Sequence, residues 1–474
     1  MRKSIAILLV LALSMAFATS CAQKSSYDTV ATTASTSAPD TTKVDPEVDT
    51  TDYEMLVADL LRAAEDSPTA EDQFRVEAVE GGVAIVEYLG NAESICVPTT
   101  VGGLPLLSIA ANAFGENNTI KTLVLPNSIS SLSEGCLVGC NALVTLSVPF
   151  VGATPTEGKH FGYLFGALDH TEQVMKLPTT LLYVRVGGAS SAISPYTFAE
   201  CKDLVCVLLD EQIEEVGDLA FFNCTALKFV TLDSLTEIGT LALGNCRELV
   251  HVEFGEGLLS AGLGVLQGCS SISALTLPFV GGSATENTFL GYLFGADHPD
   301  FTAGYIPAYL RTVELLDCCT SLGDYAFFEC SVLKSISLPQ ALTSIGVRAF
   351  EKCTALTSIT LPASLKTVRE NAFLGCTALE SVIFSEGLQS LGTNVFFGCT
   401  ALKDIRLPQS LKALPASAFA NCKALEYVDF GGVEQVGEYA FHNCTALKNV
   451  VAENVVVTPL GNDPVSVLLG VQAE

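Results

Sequence analysis

Cysteine recurs in this chain on a beat. Positions 330, 353, 376, 399, 422 and 444 are 23, 23, 23, 23 and 22 residues apart, and Cys201, Cys224, Cys246 and Cys269 extend the series upstream at 23, 22 and 23. Asn117 holds the equivalent place 23 residues before Cys140. The residues between keep register with the beat. Leu333, Ile336, Leu338-Pro339, Leu342, Ile345-Gly346, Ala349-Phe350 and Cys353 are followed by Leu356, Ile359, Leu361-Pro362, Leu365, Val368, Ala372-Phe373 and Cys376. Chance does not hold such a period over hundreds of residues, so the fold must be a stack of one supersecondary unit.

One unit carries the logic of the whole. Leu-x-x-Ile-x-Leu-Pro is a short strand whose Ile and Leu point one way. The proline removes a ladder donor and ends the strand. The Ser-Leu-x-x-Ile-Gly segment turns the chain, and Ala-Phe-x-x-Cys returns it. No unit buries its apolar residues alone, whereas stacking places equivalent side chains over one another in a continuous core. A dozen or more turns at a strand spacing of about 4.8 Å make a rod on the order of 60 Å.

The recurrent Ala-Phe-x-x-Cys-x-x-Leu-x-x-Ile-x-Leu-Pro string resembles the BspA-type bacterial leucine-rich-repeat family. The resemblance spans residues 74–454, including an opening half-repeat at Val83–Gly90, Val97-Pro98, Val101–Pro105 and Ala113-Phe114. It implies a leucine-rich-repeat solenoid: a right-handed superhelix of short parallel strands with turn or short-helix returns. It also implies a cell-surface role in adhesion to host proteins or other cells, without naming a ligand.

Two blocks break the beat. Cys140 to Cys201 and Cys269 to Cys330 are each 61 residues, and they align without a gap at an offset of 129. Pro149-Phe150-Val151-Gly152 matches Pro278-Phe279-Val280-Gly281, and Gly162-Tyr163-Leu164-Phe165-Gly166 matches Gly291-Tyr292-Leu293-Phe294-Gly295. The blocks 140–201 and 269–330 therefore read as a duplication, each an ordinary turn plus an aromatic excursion. Tyr163 and Tyr292 are candidate ligand contacts there. The competing reading packs Tyr163, Phe165, Tyr292 and Phe294 over the edge of the stack.

The chain has 17 cysteines, a number that in an exported protein ordinarily means disulfides. The repeat argues otherwise. A cysteine at one fixed position points inward in every turn and acts as a small apolar residue with a weak donor. The stacking distance also exceeds the Cβ separation of about 3.8 Å that a disulfide needs. Asn117 in the same slot suits hydrogen bonding to the turn backbone. No Cys-x-x-Cys pair with zinc spacing occurs, and no metal or cofactor is expected.

The N-terminus carries its own signals. Met1-Arg2-Lys3 precedes an apolar run from Ile5 to Phe17, then Ala18-Thr19-Ser20-Cys21. The run has the length and flanks of a secretory signal. Small residues before a cysteine resemble the lipobox of bacterial lipoproteins, which makes residues 1–20 a lipoprotein signal peptide and Cys21 the lipid anchor; the alternative is ordinary cleavage and secretion. Residues 21–50, rich in Ser, Thr, Asp and Ala, read as a disordered tether. Residues 51–68 read as an amphipathic helix capped by Asp52, placed to cover the first end of the solenoid. Residues 455–474 form a C-terminal cap or tail.

Lys and Arg number 24 against 52 Asp and Glu, a net charge of −28 that repels nucleic acid and anionic lipid. Membrane contact is thus expected through the N-terminal lipid alone, and the chain as a monomer. No Gly-x-Ser-x-Gly, His-Glu-x-x-His or phosphate-binding loop occurs, and the five histidines are scattered, so catalysis is not expected. Asn223-Cys224-Thr225 and Asn443-Cys444-Thr445 match a glycosylation acceptor pattern, but they arise from the repeat and read as structural.

A partner would meet the strand residues two and four after the leading leucine, which face away from the core. Along the chain these are Thr122/Val124, Thr145/Ser147, Phe229/Thr231, His251/Glu253, Ala274/Thr276, Ser335/Ser337, Ser358/Thr360, Ser381/Ile383, Asp404/Arg406, Tyr427/Asp429 and Asn449/Val451. His251, Glu253, Asp404, Arg406, Tyr427 and Asp429 stand out as candidate ligand contacts, since aromatic and arginine side chains are typical interface anchors. Two functions compete: a surface protein that binds a protein ligand, and a scaffold lipoprotein of the envelope. Glycan capture is a weaker third, because tryptophan is absent.

Overall fold

The computed structural model describes residues 52–115, 117–286 and 288–452, together with the backbone of 456 and 457. The signal peptide, Cys21 and the tether lie outside the described residues, as does most of the C-terminal tail.

The repeat unit folds as one turn of a parallel β-solenoid of about 16 turns. Its first strand joins a sheet whose members pair one period apart: Ser358–Thr360 with Ser381–Ile383, Asp404–Arg406 with Tyr427–Asp429, and Tyr427–Asp429 with Asn449–Val451. A second sheet, built of two-residue strands, runs beside it through Ser321–Leu322, Ser344–Ile345, Thr367–Val368 and Ser390–Leu391. Strand alternation explains the burial. The middle residues Ile359, Val382, Ile405 and Val428 point into the core, while their neighbours face outward.

The Ala-Phe-x-x-Cys return needs two left-handed residues per turn. The residue before Ala has positive φ at Arg348, Asn371, Ser417 and Tyr439, and the residue before Cys does so at Asn223, Asn245, Lys352, Gly375, Gly398, Asn421 and Asn443. Asn and Gly recur there because they tolerate that conformation best. The two apparent glycosylation motifs are thereby accounted for by backbone geometry: Asn223 has φ 64° and Asn443 φ 60°. Two contacts then lock the returns together. The phenylalanines form a column, with Phe350, Phe373, Phe396 and Phe419 stacked at centroid separations of 5.0, 5.0 and 5.2 Å. Most repeat thiols donate to a phenylalanine carbonyl of the preceding turn, as in Cys353 to Phe327 (3.1 Å), Cys376 to Phe350 (3.0 Å) and Cys422 to Phe396 (3.2 Å); Cys269 donates to Leu243, and Cys201 and Cys330 donate within their own turns, to Ala199 and Phe328. Asn117 satisfies its own turn instead: its Oδ1 accepts from the backbone N–H groups of Thr119 and Ile120 at 3.0 and 3.2 Å.

The duplicated blocks remain within the stack. In each, the excursion string forms a short 3-10 helix, Phe161–Phe165 or Leu290–Phe294, closed by a left-handed glycine, Gly166 or Gly295. Its backbone continues the return ladder, with Leu137 N–H donating to Leu164 and Leu266 N–H to Leu293. Phe161 packs on Phe198 with ring centroids 4.9 Å apart and the rings tilted by 42°, so it meets the aromatic column without continuing its parallel stacking.

The first end of the solenoid is covered by an antiparallel hairpin, Phe74–Val79 with Gly82–Tyr88, whose second strand pairs in parallel with Leu104–Ile109. The amphipathic helix, here α1 (Tyr53–Glu65), starts at Asp52, whose Oδ1 accepts from Met55 N–H at 2.9 Å. It does not cover that end as the sequence reading expects. Instead α1 lies across the face of the main sheet, and Tyr53, Val57, Leu61 and Ala64 pack on Cys96, Val124, Tyr183, Cys206, Leu208 and Phe229. The sheet there presents apolar residues at outward positions, and the 13-residue amphipathic helix buries its apolar stripe against them. At the other end, Val456–Val457 adds a parallel strand beside Gln435–Val436, so the start of the 455–474 segment extends the second sheet.

Candidate functional site

The outward positions of the sheet divide into a covered part and an open part. Under and beside α1, Val124, Thr145 and Ser147 are buried, which corrects the expectation that every such position meets solvent; Thr276, farther along, is buried as well. Phe229 is half-buried, its ring stacked on Tyr53 at 6.3 Å. From Ser335 onward the outward residues are largely exposed.

On the open part, strand register assembles a patch from the last turns. Asp404, Tyr427 and Asn449 stand in one row, and Arg406, Asp429 and Val451 in the adjacent row. The Arg406 guanidinium sits 5.4 Å from the centroid of the Tyr427 ring. Such a stack holds the guanidinium flat while leaving its donor edges available. Asp429 Oδ1 accepts from Gly431 N–H at 3.0 Å, which fixes its carboxylate. Ile383 and Val451, 58% and 45% exposed, flank the patch. Sequence reasoning placed both in the stripe without singling them out; an Ile among Ser and Thr was the signal.

His251 and Glu253 are exposed, with His251 Nε2 3.3 Å from Thr276 Oγ1. They are six strand spacings from Asp404, on the order of 30 Å, so the six stripe candidates are not one site. Glu253 belongs with the N-terminal end of α1. Partial burial, first, and then the charges of Asp233, Asp52 and Glu253 raise the Glu54 carboxyl above its ordinary range. Tyr163 and Tyr292 are half-buried; Tyr163 donates its hydroxyl to Leu132 O at 3.3 Å and packs on the core, and Tyr292 meets Phe289 edge to face at 6.1 Å. Both rings serve the packing of the enlarged turns. The most exposed apolar side chains of the excursions are Leu168 and Met175 in the first and Phe301 in the second.

A groove of about 560 Å³ lies between α1 and the sheet, lined by Glu54, Leu61, Arg62, Arg185, Leu208 and Asp233 among others. Arg185 is bidentate to Asp210, at 2.9 and 3.2 Å. No sequence motif marks this groove, because α1 and its walls lie far apart along the chain. Among the described residues, no group of three or more His, Cys, Asp or Glu is placed to hold a metal ion, and no helix is long and apolar enough to cross a membrane.

Stacked parallel turns, a leucine-bearing strand in each and an open sheet face together define a leucine-rich-repeat solenoid protein. The BspA type leucine rich repeat region matches in six copies, over residues 91–155, 191–292 and 307–426, more than half of the sequence. The chain belongs to this family. Among solved structures, it is similar to a leucine-rich repeat protein from Bacteroides ovatus (18% identity, 82% of this chain and 99% of that one, TM-score 0.33). It is also similar to a leucine rich cell surface protein from Faecalibacterium prausnitzii (20% identity, 84% and 97%, TM-score 0.30). A third is an internalin from Listeria monocytogenes (10% identity, 84% and 95%, TM-score 0.29). No curated protein matches the chain. The assignment rests on the repeat itself and on the family match.

Proposed function

We propose that this is an exported, lipid-anchored surface protein that binds a protein ligand through the open sheet face, without catalysis. The observation that carries this reading is the patch at Asp404, Arg406, Tyr427 and Asp429. Four charged or aromatic side chains from adjacent strands converge there on a rigid sheet, next to exposed Ile383 and Val451. An arginine held over a tyrosine, with apolar neighbours, is the composition of an interface anchor. The net charge of −28 opposes nucleic acid as the partner.

Two experiments test the reading. Affinity capture with the mature chain should retrieve a protein from neighbouring-cell or host extracts, and Arg406→Glu combined with Tyr427→Ala should abolish the capture by weakening binding about a hundredfold, roughly 2.7 kcal/mol. Equal capture by wild type and variant would remove the patch from the interface. The anchor is tested by mass: the protein from cells should carry acyl chains on Cys21 and sediment with membranes, and Cys21→Ala should release it to the medium. An unmodified wild-type protein found free in the medium would eliminate the anchor and leave a secreted binder.

A further inference from the structure

We infer that the groove between α1 and the main sheet is a second recognition site, and that it receives an extended, basic segment of a protein partner. This deepens the reading above and rests on it, but it concerns a different surface from the Arg406 patch.

The groove has an apolar floor and an acidic rim. Half-buried Ala58 of α1 and Leu208 of the sheet form the floor, over the buried Leu61, while Glu54, Glu65, Asp210, Glu211 and Asp233 stand around them. Among the described residues, two cations line it, and each is already matched. Arg62 Nη1 lies 3.1 Å from Asp59, and Arg185 is held by Asp210. Glu54, Glu65, Glu211 and Asp233 are left without an ion-pair partner among the described residues. The cost of this arrangement is visible at Glu54, whose carboxyl is raised by partial burial and by the acids around it. A cation entering the groove would relieve that repulsion, and because the four rim carboxylates are exposed, the attraction depends on several of them acting together.

The shape selects among cations. The cavity of about 560 Å³ exceeds what one ion needs. Its carboxylates are spread over α1 and two sheet turns and do not converge on a point. An extended chain places alternate side chains on opposite sides. Lys or Arg can then reach the rim while intervening apolar residues meet Ala58 and Leu208. Long basic side chains suit this doubly, since their methylene stems cover apolar surface and their charged ends stay at the edge.

The test uses the full chain in detergent and a fluorescein-labelled peptide of alternating Lys and Leu, against the same peptide with Glu for Lys, in about 0.15 M salt to suppress diffuse attraction. The basic peptide should raise the anisotropy and the acidic one should not. Glu54→Gln with Asp233→Asn should weaken binding about tenfold or more, whereas Glu77→Gln with Glu80→Gln, equal in charge and exposed on the N-terminal hairpin, should leave it unchanged. Both carboxylate pairs of substitutions are near-isosteric, and unchanged circular dichroism confirms that the fold is intact. Equal loss in both double variants, or binding of neither peptide, overturns the groove and leaves the Arg406 surface standing. Loss confined to Glu54 and Asp233 supports the groove whether or not the Arg406 surface captures a partner.

Discussion

A Phe373→Ala variant is expected to lose about 5 kcal/mol of stability. Phe373 is fully buried and stacks on Phe350 and Phe396, each at 5.0 Å and within 8° of parallel. Removing a buried phenylalanine typically costs about 3–5 kcal/mol, and each lost aromatic pair adds about 0.5–1.5. The column leaves little freedom to collapse into the void, because both neighbours are held by their own turns. A solenoid couples each repeat only to its neighbours, so the damage is local at first. Urea unfolding should show the lower midpoint. Hydrogen exchange should show protection falling in the turns on either side of Phe373 and recovering outward. Phe301→Ala provides the contrast: that ring is 59% exposed, and its removal should cost within about 0.5 kcal/mol. A loss below about 1 kcal/mol at Phe373 would show that the column does not hold the stack together.

The second large effect is with pH. Burial pushes the repeat thiols up from an ordinary value of 9.0, Cys140 and Cys376 to about 12, and Cys201, Cys353, Cys399 and Cys422 well above 9.0. In the unfolded chain the same thiols ionise near 9.0. Above that pH the folded state therefore holds more protons than the unfolded state, and stability falls as pH rises. Each such thiol contributes a slope of about 1.4 kcal/mol per pH unit from roughly pH 9 up to its own raised folded value, about 12 for Cys140 and Cys376. The contribution is fully present below pH 9. Because several turns carry such a thiol, the slopes add, and stability should fall steeply as pH rises above 9. The urea midpoint measured from pH 7 to 10.5 tests this. A Cys353→Ala, Cys376→Ala, Cys399→Ala variant should show a shallower slope, by about three times the single-thiol value. An identical slope in that variant would assign the alkaline loss to lysine and tyrosine instead.

Some of this architecture is legible residue by residue. The inward cysteine, the strand ended by proline, the substitution of Asn117 and the structural origin of Asn223 and Asn443 all follow from the period, because in a stack every turn repeats the environment of the last. The reason Asn and Gly precede cysteine was visible in the sequence as a bias, but the left-handed conformation that demands it appears only in the backbone. The duplicated blocks were legible as a duplication, and their place inside the return ladder was not. The Phe-Gly-Tyr-Leu-Phe-Gly string departs from Ala-Phe-x-x-Cys, so nothing local shows that it takes the same position.

Periodicity alone determined the parallel stack, its inward and outward faces and the family to which the chain belongs, because contacts between neighbouring turns obey a constant sequence separation. The course of α1 was decided only by tertiary structure. Val124, Cys206 and Phe229 are outward positions that look like exceptions until a helix from more than 50 residues upstream is laid over them. The groove with Glu54 on one wall and Asp233 on the other has the same origin. Contacts of that kind follow no period, since they depend on where a single non-repeating element finds enough apolar surface to bury its stripe.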